Sequence, residues 1–234
     1  MYFDWTYIVL VLPAVIFSLW ASARVKSTFA RYQNQYASRG LTGAQAAEAV
    51  LRYNGLYGIR IERVSGSLTD HYDPRSNVIR LSDSVYGSSS TAAIGVACHE
   101  AGHAVQHAQN YLPVKIRTAI VPITNIGSRL SMPLIILGLL FGATSYFFAT
   151  MAYVGVACFA LSTIFQLVTL PTEFDASRRA LTAIRQQGLL EGEELAGAQK
   201  VLSAAAMTYV AALAVSVTQL LRLMMLVNRR NNRR

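Results

Sequence analysis

Charged residues are scarce in this sequence and cysteine is nearly absent. Asp, Glu, Lys and Arg make up 14% of the 234 residues, hydrophobic residues make up 53%, and the mean hydropathy is +0.34. This composition excludes intrinsic disorder and is more typical of a membrane protein than of a soluble one. The two cysteines, Cys98 and Cys158, are far apart in apolar stretches, so they form neither a disulfide framework nor a metal-binding spacing.

Acidic residues are fewer than basic ones. The sequence has 12 Asp and Glu against 21 Lys and Arg, a net charge of +9. A basic chain attracts either nucleic acid or an anionic lipid surface, and so apolar a chain favours the lipid. We therefore predict a lipid bilayer, and no nucleic acid, among its partners.

Four apolar stretches approach the ~20 helical residues that cross ~30 Å of hydrocarbon. They cover about residues 5–23, 132–150, 151–170 and 204–221. The first follows Asp4 and precedes Arg24 and Lys26, the reverse of a cleavable signal, which predicts an uncleaved span over residues 1–23. The second and third predict a transmembrane helical hairpin over residues 132–170, with its turn near residues 148–153.

The positions of the basic residues predict the topology, because loops rich in Lys and Arg stay in the cytoplasm. Most of the cations near span ends lie in residues 24–131 and 171–203, which we assign to the cytoplasm: Arg24, Lys26, Arg31, Arg39, Lys115, Arg117, Arg129, Arg178, Arg179, Arg185 and Lys200. The stretch 204–234 ends in four arginines, which four full spans would place outside. Three or four spanning helices therefore remain open.

Residues 24–131 have the composition of a water-soluble module. Thr42 is the predicted cap of a helix that Asn54 ends, and the serines at 88–90 cap another that runs to about Gln109. Period-two alternation predicts strands at 59–64 and 77–82, in a hairpin or a small sheet. We expect strand 77–82 to be an edge strand that binds an extended substrate.

The second helix of this module contains the HExxH pattern, from His99 through Glu100 to His103. Residues four apart share one face of a helix, so the two imidazoles can point at one ion, while Glu100 is placed to accept a proton from water. The alternative is a polar helix face with two satisfied histidines. Apolar flanking residues, and the presence of three of the four histidines of the chain, favour the metal.

The remaining histidines and Cys98 fit the site less well. His107 lies about 12 Å from His99 along the helix axis, too far to share one ion, and is expected to pack or to contact a ligand. His71 is expected in a solvated loop, with an accessory role left open. Cys98 points about 100° away from His99 and is expected to be a small buried residue.

A third ligand is expected among the few acidic residues. Glu173 follows the third span, and Asp175 is the runner-up, either as a ligand or as the partner of an imidazole N–H. Because Pro171 and Thr172 look like the start of a helix, Glu173 has an alternative role as an acid stabilised by the helix dipole.

These residues together resemble a known family. The N-terminal span, the run His99-Glu-Ala-Gly-His-Ala-Val-Gln-His, the apolar hairpin and the run Leu170-Pro-Thr-Glu-Phe-Asp-Ala-Ser are similar to the neutral zinc metallopeptidases of bacterial membranes, the YugP-like proteins. The resemblance covers nearly the whole chain. More distantly, the chain is similar to HtpX-type and CAAX-prenyl-protease-type membrane peptidases, gluzincins in which a Glu on a later helix completes the HExxH site.

The resemblance implies roles for individual residues. His99, His103 and Glu173 would bind one Zn²⁺ per chain, and Glu100 would be the general base. The later motif of the relatives is Glu-x-x-x-Asp, whereas Ser177 follows Glu173 at that spacing here. The role of the missing carboxylate is therefore open, with Asp175 as a substitute.

We accordingly predict a mostly α integral membrane protein with three to four transmembrane helices and a small α+β zincin-like module. Its expected segments are residues 1–23 (span), 24–131 (module), 132–170 (hairpin), 171–203 (helix with the third ligand) and 204–234 (apolar helix and basic tail). The expected function is a zinc-dependent endopeptidase of the bacterial cytoplasmic membrane that cleaves peptides or membrane proteins on the cytoplasmic side.

Three other functions compete with this one. A catalytically silent zinc-binding scaffold would not need Glu100. An intramembrane protease would place HExxH in lipid, for which residues 88–110 are too polar. A carrier or channel is disfavoured because the predicted spans lack ionisable residues.

Overall fold

The structure is a computed structural model that describes residues 5–142 and 144–231. In those ranges the chain forms seven α-helices and three short strands. They are α1 (Leu12–Gln33, after a π-helical turn at Tyr7–Val11), α2 (Gly43–Tyr53), β1 (Arg60–Val64), β2 (His71–Asp73), β3 (Val78–Ser82), α3 (Asp83–Tyr86), α4 (Thr91–Ala108), α5 (Leu112–Phe141), α6 (Tyr146–Gln186) and α7 (Gly192–Asn231). The predicted mostly α class with a small sheet is confirmed.

The chain divides into two compact units. Unit 1 comprises Met1–Trp20, Ile116–Leu170 and Tyr209–Arg234, and unit 2 comprises Ala21–Lys115 and Pro171–Thr208. The four long helices α1, α5, α6 and α7 each contribute residues to both units. HExxH and Glu173 both belong to unit 2.

Helix α4 runs through the core of unit 2. Ser90 caps its N-terminus, because Ser90 Oγ accepts a hydrogen bond from the Ala93 N–H at 3.2 Å. Ile94 of α4 is fully buried, together with Val50 and Leu51 of α2, which contacts α4. Burial of one such side chain contributes about 1.5–3 kcal/mol, so this core holds the HExxH helix firmly.

The small sheet differs from the prediction in two respects. The strand order is β1-β3-β2, with β1 and β3 parallel, so the predicted small sheet is confirmed and the alternative, a hairpin of these two strands, is wrong. The short strand β2, which the alternation pattern did not predict, pairs antiparallel with β3. Strand β3 is therefore central and not the expected edge strand. Its residues Val78, Ile79 and Leu81 are fully buried, and since successive side chains point to opposite faces of the sheet, both faces of β3 are covered.

Helices α5 and α6 form the predicted hairpin, but the turn lies elsewhere. The turn connects Phe141 to Tyr146, and the expected position at 148–153 is inside α6. Ser145 Oγ accepts a hydrogen bond from Phe147 N–H at 3.2 Å and so marks the start of α6 within an apolar tract. At Gly138 a Cβ atom would lie 2.5 Å from the Ala152 Cβ, so the glycine permits close helix packing.

Helix α6 does not begin at Pro171, as the sequence suggested. The helix runs without a break from Tyr146 to Gln186 and contains Pro171 in its interior. Proline removes one helical hydrogen bond, and the long packed helix tolerates this loss. Glu173 is consequently an interior residue of a helix, and its interpretation as an N-terminal acid is wrong.

Four helices are long and apolar enough to cross a membrane, judged by length and composition: Tyr7–Gln33, Leu112–Phe141, Tyr146–Gln186 and Gly192–Arg230. They extend beyond the predicted apolar stretches. Helix α5 therefore includes Arg129, and α7 includes Arg222, whose guanidinium lies 5.2 Å from the centre of the Tyr7 ring. The expectation that the spans lack ionisable residues does not hold for the complete helices.

Candidate metal centre

Two histidines on one face of α4 form the first part of the site. His99 and His103 are one helical turn apart, and the centres of their rings are 4.6 Å apart. Each side chain has only 14% of its surface exposed. The HExxH spacing thus brings two imidazoles together in a largely buried position.

Glu173 of α6 completes the group. Its Oε2 atom lies 3.3 Å from His99 Nε2 and 3.4 Å from His103 Nε2. The donor atoms of the three residues all lie within 4.8 Å of one another, and the Glu173 side chain is 3% exposed. A carboxylate is costly to bury, so its position beside two imidazoles indicates a specific partner for its charge.

This donor set fits a zinc ion. Zinc binds imidazole nitrogen and carboxylate oxygen at about 2.0–2.2 Å in a tetrahedron, whose neighbouring ligand atoms are then about 3.3–3.5 Å apart. The two separations from Glu173 Oε2, 3.3 and 3.4 Å, match that edge length. Three protein ligands are also the number found in catalytic zinc sites, which keep a fourth position for water or substrate.

Gly102, the fourth residue of HExxH, allows α6 to approach α4 closely. A Cβ atom at this position would lie 2.6 Å from the carbonyl oxygen of Ala176, a main-chain atom that has no rotamer to change. Ala176 is fully buried and is three residues from Glu173. The missing side chain at Gly102 therefore lets the helix that carries Glu173 reach the histidines.

The second nitrogen of each imidazole also has a polar partner. His99 Nδ1 lies 3.1 Å from Ser177 Oγ, and His103 Nδ1 lies 3.0 Å from Gln106 Oε1. These contacts orient both Nε2 atoms toward Glu173. Ser177, which follows Glu173 by four residues on the same helix, contacts His99 through a hydroxyl and not a carboxylate.

Asp175 lies outside the cluster of three donors. Its buried carboxylate accepts a hydrogen bond from Gln106 Nε2 at 2.9 Å and binds the guanidinium groups of Arg178 and Arg179. The link from Asp175 to His103 is therefore indirect and runs through Gln106. Asp175 was the second candidate for the third ligand, and the structure does not bring its carboxylate to the two imidazoles.

The carboxylates near His103 affect the pKa of its imidazole. Burial lowers the pKa of His103, but the hydrogen bond to Glu173 and the charges of Glu100 and Glu173 raise it, and the net shift is upward. The neighbouring Cys98 is fully buried, which raises the pKa of its thiol. Cys98 is thus a buried neutral side chain, as predicted.

Glu100 is held by the sheet. Its side chain is buried, at 8% exposure, and its Oε2 accepts a hydrogen bond from the main-chain N–H of Tyr72 at 3.0 Å. Tyr72 belongs to β2, an edge strand of the sheet. The contact fixes the carboxylate through a main-chain group of a different element.

The other two histidines are not part of the cluster. The ring of His107 packs edge-on against the Tyr72 ring, with centres 5.5 Å apart, which agrees with its predicted packing role. His71 is exposed, as expected, but lies in β2 and not in a loop, and its Nδ1 is 2.9 Å from the Thr69 carbonyl oxygen. A groove of about 430 Å³ lies beside them, lined in part by Tyr72, His107 and Ala104.

Sequence reasoning missed three residues of this site. Tyr72 contributes a main-chain group, which no side-chain pattern reveals, and the close contact at Gly102 depends on a helix that is distant in sequence. Gln106 had a signal, because a residue three positions after His103 shares its helix face. A buried glutamine on the face of a metal-binding helix is a candidate partner for an imidazole.

The fold and this site define a mostly helical protein with four candidate membrane-spanning helices and a buried two-histidine, one-glutamate cluster suited to zinc. The family model described as "putative neutral zinc metallopeptidase" matches residues 7–228, and the chain therefore belongs to that family. It is 44% identical over 220 residues to a Bacillus subtilis (strain 168) protein named "Putative membrane protease YugP", covering 94% of this chain and 96% of that protein. No solved structure matches the chain.

Proposed function

We propose that the protein is a membrane-embedded, zinc-dependent endopeptidase that holds one zinc ion per chain through His99 Nε2, His103 Nε2 and Glu173 Oε2. The observation that carries the proposal is the convergence of these buried donor atoms within 4.8 Å. When bound, zinc supplies Lewis acidity, which makes water nucleophilic near neutral pH and polarises a carbonyl group. The substrate is a peptide or a membrane protein, in keeping with the name of the 44% identical relative.

Glu100 is the general base of the proposed reaction. It accepts a proton from the attacking water and later passes it to the leaving amine, as a buried carboxylate beside the scissile bond can do. Its Oε2 already accepts the Tyr72 N–H, so Oε1 is the oxygen that carries the proton. The hydrogen bond keeps the carboxylate from turning away between the two transfers.

Strand β2 replaces β3 as the proposed substrate-binding strand. Tyr72 directs its N–H toward Glu100 and away from β3. In an antiparallel strand the carbonyl of a residue points to the same side as its N–H, so Tyr72 C=O faces the same free edge. An extended peptide added at this edge would donate an N–H to Tyr72 C=O, since Tyr72 N–H already binds Glu100, and the groove beside His107 would take one of its side chains.

We place unit 2 on the cytoplasmic side of the bacterial cytoplasmic membrane. Its long stretches carry most of the cations near the helix ends, as the positive-inside rule requires. Reporter fusions inserted at residues 65–70 and at the C-terminus test this assignment. We expect a cytoplasmic signal from the first and an external signal from the second; a cytoplasmic C-terminus would mean that α7 does not cross.

The test of the proposed function is zinc content and proteolysis of the purified full chain. We expect about one zinc per chain and cleavage of casein, with Glu100→Gln retaining zinc and losing cleavage. Glu62→Gln is the matched control, since Glu62 is half-exposed on β1 and pairs with Arg80. Zinc without hydrolysis of any substrate tested would support the silent scaffold, and absence of zinc would overturn both functions.

A proline at position 72 tests the role of β2. Tyr72→Pro removes the N–H that Glu100 accepts, whereas Tyr72→Ala keeps it and removes only the ring. We expect cleavage to fall at least about tenfold further in the proline variant than in the alanine variant, with zinc retained in both. Equal cleavage by the two variants would show that the main chain of β2 has no part in the reaction.

A further inference from the structure

Gln106 is a large polar side chain in the interior of unit 2. It lies three residues after His103 on α4 and has 0% of its surface exposed. A buried amide must satisfy two N–H donors and a carbonyl acceptor within the protein. Gln106 Nε2 donates to the Thr172 carbonyl oxygen at 2.8 Å and to Asp175 Oδ2 at 2.9 Å, and Oε1 lies 3.0 Å from His103 Nδ1.

The surroundings permit one orientation of this amide. Thr172 O and the Asp175 carboxylate only accept hydrogen bonds, so the NH₂ group must face them and Oε1 must face His103. Because Oε1 also only accepts, His103 Nδ1 must carry the proton. Nε2, the atom 3.4 Å from Glu173 Oε2, is then the nitrogen that binds the metal once it has lost its own proton.

We propose that Gln106 is a positioning residue that fixes His103 in the tautomer able to bind the metal, with Asp175 setting the orientation of the Gln106 amide. This inference rests on the zinc site of the proposed function, but it concerns metal binding and is independent of peptide cleavage. Gln106 acts through His103 and touches neither substrate nor the reacting atoms.

The same amide links the two helices of the site. Thr172 and Asp175 lie on either side of Glu173 on α6, while His103 belongs to α4. One side chain therefore sets the ring of His103 and ties down the segment that carries Glu173. Arg178 and Arg179 neutralise Asp175, so the acceptor stays ionised without an unpaired charge.

His99 provides an internal contrast. Its Nδ1 contacts a hydroxyl, Ser177 Oγ, at 3.1 Å. A hydroxyl can donate or accept, so it does not select a tautomer. The structure therefore assigns a fixed tautomer to His103 and leaves that of His99 to the metal.

The tautomer can be observed directly in the metal-free protein. The chain has four histidines, so ¹⁵N-histidine labelling gives four ring systems, which His→Asn variants assign. We expect His103 Nδ1 to carry a proton in the wild type over the whole pH range in which the protein is folded, and to lose it in part near neutral pH in Gln106→Met. A wild-type His103 without a proton on Nδ1 would overturn the proposal.

Zinc affinity provides the second readout. In Gln106→Met, which keeps the length and removes the polar atoms, we expect zinc to bind about 10–100-fold more weakly in a chelator competition. Gln109→Met, at the residue that follows the last turn of α4, is the control, since it removes the acceptor of a hydrogen bond from Arg179. We expect that control to stay within about twofold of wild type. Unchanged affinity in Gln106→Met would overturn the proposal.

A third variant covers the case in which Gln106→Met fails to fold. Gln106→Glu keeps an acceptor for His103 but places a second carboxylate against Asp175. In the double variant with Asp175→Asn, the new asparagine amide can donate to the new glutamate, so the hydrogen bond between positions 106 and 175 is restored. We expect the double variant to bind zinc more tightly than Gln106→Glu alone. The reverse order would contradict the proposal, whereas a wild type without zinc would refute the proposed function itself.

Discussion

The two units of the molecule differ in which side chains they bury and which they expose. Unit 2 buries a contiguous apolar core with Ile94 and Ile184 at 0% exposure, and it also buries polar groups such as Gln106 and Glu173. Unit 1 has a small core around Ile135 and leaves large apolar side chains such as Leu140 outward-facing, at 62% exposure. Extended apolar surface of this kind marks contact with lipid. Unit 1 therefore has the exposed apolar surface of candidate membrane-spanning helices, whereas unit 2 has the buried apolar core of a globular domain.

Acidic residues follow the same division. Asp4 is the only Asp or Glu of the sequence outside unit 2. Ligands and proton carriers for zinc chemistry are carboxylates and imidazoles, so the candidate chemistry is confined to unit 2, while both tryptophans, Trp5 and Trp20, belong to unit 1. The difference also supplies separate probes, since tryptophan fluorescence reports unit 1 and bound zinc reports unit 2.

The largest expected effect concerns the metal alone. His99→Ala removes one of three donor atoms, and we expect zinc affinity to fall by more than about 100-fold, beyond what loss of an outer partner costs. Tryptophan fluorescence of unit 1 should not change. His71→Ala is the control, because His71 is exposed and outside the cluster. Equal zinc loss in both variants would contradict the site.

Core truncations test whether the units are stabilised by different forces. We expect Ile184→Ala to cost about 2–5 kcal/mol of unfolding free energy, because it creates a cavity and exposes the core to water. Ile135→Ala, equally buried in unit 1, should cost less, about 1–2 kcal/mol, because in lipid only packing is lost. Hydrogen exchange resolved by segment measures both, and equal costs would remove the distinction between the units.

Glycine substitutions at two helix contacts should separate stability from metal binding. Gly102→Ala places a Cβ 2.6 Å from Ala176 O, and Gly138→Ala places one 2.5 Å from the Ala152 Cβ. We expect each to destabilise its own unit by about 1–3 kcal/mol. Only Gly102→Ala should also weaken zinc binding; Gly95→Ala, whose nearest contact is the Ala198 Cβ at 3.3 Å, is the milder control on α4.

The smallest effect is on pH dependence. Hydrogen bonds from Ser76, the Arg75 N–H and Arg80 hold the pKa of Asp73 well below its ordinary value. Ionised Asp73 therefore stabilises the folded state fully at any pH above the ordinary pKa, and this stabilisation is lost as the pH falls through the lowered pKa. Burial raises the pKa of Asp70, which opposes this loss.

Melting of the chelator-treated protein, followed by circular dichroism, tests this pH effect. We expect the melting temperature of unit 2 to fall on acidification and to fall less in Asp73→Asn. The tryptophan signal of unit 1, whose described residues contain no Asp or Glu, should stay constant. A parallel acid shift of that signal would mean that the two units do not unfold separately.

The features that the sequence predicted correctly, the histidine pair and the cap of α4, depend on the local geometry of one helix. The 3.6-residue period of a helix places His99 and His103 side by side, and a serine cluster capped α4 where expected. Glu173 was predicted from its place after the third span and from resemblance to a family, because its separation from His103 along the chain carries no geometric information.

The features that the sequence did not predict correctly depend on contacts between elements that are distant along the chain. Uniform apolar composition hid the turn after Phe141, and Pro171 suggested a helix start that packing overrides. Strand β2 is three residues long, too short for a period-two pattern, so β3 was taken for an edge. Gln106 is buried by partners on α6, which are distant in sequence.

The hydrogen bond from Tyr72 to Glu100 has a practical consequence for mutational screens. Because the donor is a peptide N–H, every replacement at position 72 except proline keeps the donor group. Alanine scanning or a random library would score this position by its aromatic ring alone and overlook its link to the carboxylate. Backbone chemistry, such as an ester in place of the amide, is the tool that addresses it.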